Sequence, residues 1–356
     1  MINIDTLAAQ IKANCNISDA RHWGSYSLCG LLLRLRELYR SEMGIQLWEQ
    51  IHPEDVGRWI TDREALWKTL ENKDFGKISF NGNVYDPFEV EAINAELERD
   101  RLIYGAGFGI HMKPVFFLAD LVAKDRADGL TVYKAGREYA RDLSDHPAML
   151  QDMSIFARGE PIRHLIWGKF EEMRCRGSHG ALAYAFLKYG ITPAEEPSED
   201  TDRKISRVAR SELETYIHHE LGEASEGKRI GGDWKNLLFL IQNTKTEIFA
   251  RAVKDILADT SENGMMHYII RKKKEGSLGF YIVFLGGARK IIFPEILPAF
   301  RQFAETGDWE LIESARRAGY SNAYEYVDKL LCAYRTRKDD VSLQQAIERE
   351  IFGGLL

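Results

Sequence analysis

The chain has 356 residues, 45% hydrophobic and 29% charged, enough to bury a core without staples and ordinary for globular protein. A formal net charge of -6 and a pI near 5.9 provide no long-range attraction for polyphosphate, which disfavours nucleic acid as a partner. Cys15, Cys29, Cys175 and Cys332 are too scattered for a C-x-x-C pair or a zinc knuckle, and no apolar run approaches the roughly 18 residues of a membrane span, so reduced thiols and a cytoplasmic location are expected.

The opening "MINIDTLAAQIKANCN" places apolar residues at helical spacing and lacks a long apolar region, which predicts a folded helix rather than a signal peptide. In "NISDARHWGSYSLCGLLLRLRELYRSEMG", Ser18 and Asp19 read as caps of a second long helix, with Leu28, Leu31, Leu32, Leu35 and Leu38 on one face and an end near Gly44. A helix capped by Asp62 is expected in "DREALWKTLENKD". The period then changes. Asn81-Gly82 in "KISFNGNVYDP" is a hairpin signal, Asp86-Pro87 with Glu89 reads as a helix start, and "VFFLADLVAKDRADGLTVYKAG" reads as two strands turning at Asp128-Gly129. The predicted sheet is a small antiparallel insert near residues 76 to 135.

From Arg137 helical patterning returns in "EYARDL", "PIRHLIWGKFEEMR" and "HGALAYAFLKY", punctuated by Pro147, Pro161 and Gly177 to His179. Residues 191 to 202, rich in Pro, Ser and acid, read as a linker between a helical domain at 1–190, carrying the β insert, and a helical domain at 203–356. The expected fold class is therefore α+β and predominantly α-helical. No fixed-period repeat is present.

The chemistry-bearing stretch is "SELETYIHHELGEASEG", residues 211 to 227. A helix from about Lys204 to Ala224 puts Glu212, Tyr216, His219 and Glu223 on a stripe beside an apolar face, with Glu220 projecting into that face. A carboxylate aimed into packing needs a partner, a proton or a cation. His219 and Glu223 are one turn apart and can share an ion, and Glu220 stands where a general base would. "HELG", residues 219 to 222, resembles the "HELGH" form of the zincin metallopeptidase motif, with Glu223 in place of the second histidine. That resemblance implies a divalent metal such as zinc. Sequence spacing identifies no third ligand, since His267 has no spacing that commends it.

Other constellations are weaker. Arg21 and His22, read near a helix start with Asp19, Tyr26 and Cys29, are candidates for an anionic ligand. His164, Gly168, Glu171 and Cys175 share a stripe opposite Ile162, Ile166, Phe170 and Met173, and Glu138 and Asp142 stand one helical turn apart before His146. "YGAGFG" and "FLGGARK" lack complete nucleotide-loop signatures, although Arg289 and Lys290 could hold phosphate or carboxylate. Across most of the chain, "NISDARHWGSYSLC", "DREALW" and "GREYARDL" resemble a bacterial family without assigned activity. Two functional readings remain. The first, favoured by the lack of an intact catalytic motif, is a noncatalytic protein that binds another protein or a small anionic ligand. The alternative is a metal-dependent hydrolase with His219 and Glu223 as ligands and Glu220 as base.

Overall fold

Asp19 shows how tertiary partners override local signals. In this computed structural model, which describes residues 2–109, 112–176, 180–242, 244–337 and 340–350, helix α1 runs Ile4–His22 straight through Ser18 and Asp19. Neither is a cap. The Ser18 hydroxyl donates to the Pro114 carbonyl, and the Asp19 carboxylate accepts from the Leu143 amide at 3.1 Å. The next helix, α2 (Leu28–Met43), is capped instead by Ser27, whose side chain accepts from the Gly30 amide, and ends at Gly44 in the left-handed conformation. Asp62 lies inside α3 (Pro53–Leu70), which begins earlier than expected because Pro53 presets the first helical turn.

Asn81-Gly82 forms the expected tight turn between β1 (Ile78–Phe80) and β2 (Asn83–Tyr85), both turn residues having positive φ. The Asp86 and Glu89 side chains bond the amides of Phe88 and Asp86, closing a turn one step ahead of α4 (Val90–Leu97). A second sheet follows, with order β3-β4-β5-β7-β6: β3 (Leu102–Phe108), β4 (Pro114–Ala127), β5 (Leu130–Arg141), β6 (Ala148–Gln151) and β7 (Ser154–Arg158). The Asp128-Gly129 turn joins β4 to β5.

Two expectations are corrected here. The sheet is mixed rather than antiparallel, because β5 and β7 pair in parallel, and it extends to Arg158. "GREYARDL", read as helix, lies largely in β5, so Glu138 and Asp142 do not share a helical face. "YGAGFG" lies mainly in β3. Alternation accounts for the sheet's two apolar faces: Tyr104, Phe116 and Leu118 join Leu7, Ile11 and Ile93 in one cluster, while Ile103, Val115, Phe117 and Phe156 form another.

The chain divides into two units, Met1–Glu171 with Ala194–Leu213, and Glu172–Pro193 with Glu214–Leu356. The expected break at Gly177 to His179 lies outside the described residues. Two helices run across the division, α5 (Gly159–Arg176) and α7 (Glu199–Ile230), while α6 (Gly180–Lys188) belongs to the second unit. The rest of that unit is α8 (Asp233–Leu240), α9 (Lys245–Thr260), α10 (Met265–Arg271), α11 (Glu275–Phe284), α12 (Ala288–Ile292), α13 (Ile296–Thr306), α14 (Trp309–Thr336) and α15 (Asp340–Glu350). Helix α9 is its hub: α10, α12, α14 and α15 pack against it, and Phe249, Val253, Ile256 and Leu257 are buried in the unit's core. No helix of the described residues is long and apolar enough to cross a membrane.

Buried charge holds the first unit together. Arg158, with no exposed surface, bonds both Glu138 oxygens at 2.7 and 3.0 Å, and Lys113 bridges Asp19 at 2.9 Å and Asp142 at 3.4 Å. Removing one member of such a pair strands the other without water. Glu138→Leu is therefore expected to cost about 3–5 kcal/mol in denaturant unfolding, with most of the loss recovered in Glu138→Leu/Arg158→Met. A single substitution as stable as wild type would contradict this account of the core.

Candidate metal centre

Among the described residues, His219, Glu223 and Asp255 bring one ligand atom each to within 4.8 Å of one another, and all three side chains are partly buried. Two helices create the cluster. His219 and Glu223 stand one turn apart on α7, and Asp255 comes from α9, one turn before Asp259. The third ligand that spacing could not identify is thus a carboxylate on the unit's central helix.

Gly222 explains why the helices meet here. A Cβ at this position would lie 2.3 Å from the Ala258 carbonyl oxygen, so only a bare glycine backbone allows the approach. Ala258 lies between Asp255 and Asp259, just as Gly222 lies between His219 and Glu223. The close contact therefore aligns both chemical pairs.

The imidazole is held in place. His219 Nδ1 lies 2.7 Å from Asp259 Oδ1, leaving Nε2 as the ring nitrogen not engaged by that carboxylate. Carboxylate support of this kind fixes a histidine's orientation and raises its basicity as a ligand. Burial opposes a charge on His219, but Asp259 outweighs it, with Glu220 and Glu223 adding to the effect, and the pKa rises to about 10. Burial also works against ionised Glu223, yet Lys254, 2.9 Å away, and protonated His219 hold its carboxyl below the usual range. Burial lifts Asp255 to about 6, with Glu223 and Asp259 adding to the rise and His219 and Arg289 opposing it. Metal-free, the centre is a charge-compensated network. A divalent ion would take the place of the His219 proton.

The remaining sequence candidates are not among the three converging donors. Glu220 is buried, at 8% exposure, and its charge acts on His219. His218 stacks on Tyr268 with ring centres 4.0 Å apart. Arg21 and His22 occupy the last turn of α1 rather than a helix start, which removes the amide donors on which their anion reading rested. Arg21 donates instead to the carbonyls of Glu71 and Lys73. His164 is half-buried near Arg141 and Glu37, and desolvation keeps it neutral, with its pKa well below the ordinary value. Asp259 and Lys254 are the partners of His219 and Glu223 that no local motif signals, because both lie 30 or more residues from "HELG".

Comparison with known proteins adds a family. Residues 6–158 match a family model described as "Family of unknown function (DUF6866) N-terminal domain", and residues 163–352 match the corresponding C-terminal domain. No curated protein and no solved structure matches the chain.

Two outcomes follow from the geometry. In metal-free protein, the His219 imidazole is expected to titrate near 10 by NMR and to fall toward 6.5 in Asp259→Asn. Because the folded-state value is raised, this interaction stabilises the fold fully below about 6.5 and fades as pH rises through about 10. A wild-type imidazole titrating at or below 6.5 would refute the pairing. Gly222→Ala is expected to lose about 1–3 kcal/mol in thermal or denaturant unfolding, since its methyl meets rigid backbone. Unchanged stability would show that the helices need no glycine.

Proposed function

The chain belongs to this two-domain family of unknown function, and we propose that its C-terminal domain is a metal-dependent hydrolase, binding a divalent cation between His219, Glu223 and Asp255. One observation carries the reading: three donors of suitable chemistry converge from two helices, with a buried carboxylate behind the imidazole. Partial exposure of the three ligands fits a centre with coordination positions left for water or substrate, as catalytic sites require. When bound, the ion would supply Lewis-acid activation. Asp259 orients His219, Lys254 offsets carboxylate charge, and Glu220 accepts a proton from water. The four unpaired thiols accord with a reducing compartment, and we place the protein in the cytoplasm.

The competing reading treats the same residues as packing, because the His219–Asp259 and Glu223–Lys254 pairs already balance much of the charge. Metal analysis decides between them. Untagged protein incubated with zinc or manganese and then desalted should retain about one equivalent per chain, as expected for one three-ligand site. His219→Ala/Glu223→Ala and Asp255→Ala should lose it, and Asp259→Asn should weaken binding about 10–100-fold. Substoichiometric metal unaffected by these changes would return the centre to packing. For the hydrolytic role, Glu220→Gln should keep the metal and lose turnover on a panel of ester, amide and phosphoester substrates.

A further inference from the structure

We infer that the group attacked at this centre is a phosphate monoester, held by Arg289 and Lys254 beside the ion; the inference rests on the divalent-cation reading above. Arg289 is the unusual residue. It stands on α12, which packs against α9, and its charge acts on Asp255 and on the buried Tyr281 beside Asp259. Its guanidinium donates to the Phe284 carbonyl at 2.8 Å, and among the described residues no carboxylate lies within ion-pair distance of it. A partly exposed arginine next to an acidic cluster, with most of its five donors uncommitted, offers a planar fork to an incoming anion. Lys254 spends one contact on Glu223 and has two further donors.

This arrangement favours phosphoryl over carboxylate. A phosphoryl group has three non-bridging oxygens, enough to meet the ion, the arginine fork and the lysine together, whereas a carboxylate has two. Two cationic side chains acting on the cluster also suit charge spread over the equatorial oxygens during phosphoryl transfer. In the reaction, water forms a new P–O bond and its proton passes to Glu220. The ester P–O bond breaks, and the leaving oxygen takes up the proton that Glu220 received and departs as alcohol, which returns Glu220 to its ionised form. The products are alcohol and inorganic phosphate. The "FLGGARK" stretch thus contributes a side chain rather than a nucleotide loop, its exposed Gly286 and Gly287 leaving the approach to Arg289 uncrowded.

The test uses the full chain loaded with Mn(II) and inorganic phosphate as the probe, read by relaxation of the phosphorus NMR signal, with Mn(II) affinity measured on the same samples. Wild type should bind phosphate next to the metal. Arg289→Gln should weaken phosphate by at least about tenfold, the worth of a charge-assisted hydrogen bond, and leave Mn(II) affinity within about twofold. Arg289→Lys should restore part of the loss, and acetate at equal concentration should not compete. Mn(II) binding without phosphate enhancement, or enhancement indifferent to Arg289→Gln, would overturn the phosphate assignment and leave the metal centre standing. Competition by acetate equal to phosphate would overturn the choice of phosphoryl. Failure to bind Mn(II) or zinc at all would remove the metal reading and this inference together.

Discussion

The backbone contact between Gly222 and Ala258 is the constraint on which the C-terminal chemistry depends. Helices whose facing residues carry side chains keep their axes about 8–10 Å apart. At the shorter distance that a glycine permits, the side chains three residues before and one residue after the contact on each helix are brought together. Here they are His219 and Glu223 on α7, and Asp255 and Asp259 on α9. Glycine in a helix interior costs about 1 kcal/mol relative to alanine. The sequence bears that cost in the middle of its most chemically loaded helix, and convergence of the four groups is what it obtains. Burial of Leu221 and Ile217 beside the motif, with α9 surrounded by four other helices, fixes the approach from both sides.

Two charge networks in one chain show what separates packing from a site. In the N-terminal unit, Lys113 between Asp19 and Asp142, and Arg158 on Glu138, are almost wholly buried and supported by backbone amides and a serine hydroxyl. The charges of this network are met by one another, and its work is to pin α1 and the ends of β4 and β5 together. The C-terminal network has the same ingredients but remains partly open to solvent at His219, Glu223 and Asp255. Its balance depends on a removable proton on His219 and a flexible lysine at Glu223. An exchangeable positive charge is the property that lets a cation enter.

Much of the fold is legible in the sequence because it is locally encoded. Asn81-Gly82 and Asp128-Gly129 force positive φ at consecutive positions and so announce their hairpins, and leucine spacing announces α2. The illegible parts are those where tertiary contacts satisfy groups that ordinarily face water. Glu138 and Arg141 look like the polar face of a helix, yet both are buried on β5, where Arg158 and main-chain carbonyls receive them. Ser18 and Asp19 look like caps because their short polar side chains usually bond their own backbone, but in α1 they bond β4 and the segment after β5 instead. At the site, i and i+4 spacing reveals His219 and Glu223. Asp255 stays hidden in an apolar stretch because its relation to them exists only after α7 and α9 pack.

The substitution that weakens the zincin resemblance also tells what the centre prefers. With histidine at position 223 the site would offer two imidazoles and suit zinc well. Glu223 and Asp255 instead make the donor set one nitrogen and two carboxylates. Carboxylate oxygen favours harder ions such as manganese and magnesium as well as zinc, and it places more negative charge around the ion than two neutral imidazoles would. That extra charge lowers the attraction of the ion for an anionic substrate unless cations stand nearby. On the metal-dependent reading proposed above, Lys254, 2.9 Å from Glu223, and Arg289, whose charge acts on Asp255, would take that role. On that reading, the departure from the histidine motif and the two basic residues form one electrostatic design, in which acids would hold the ion and the bases would restore its pull on an anionic substrate.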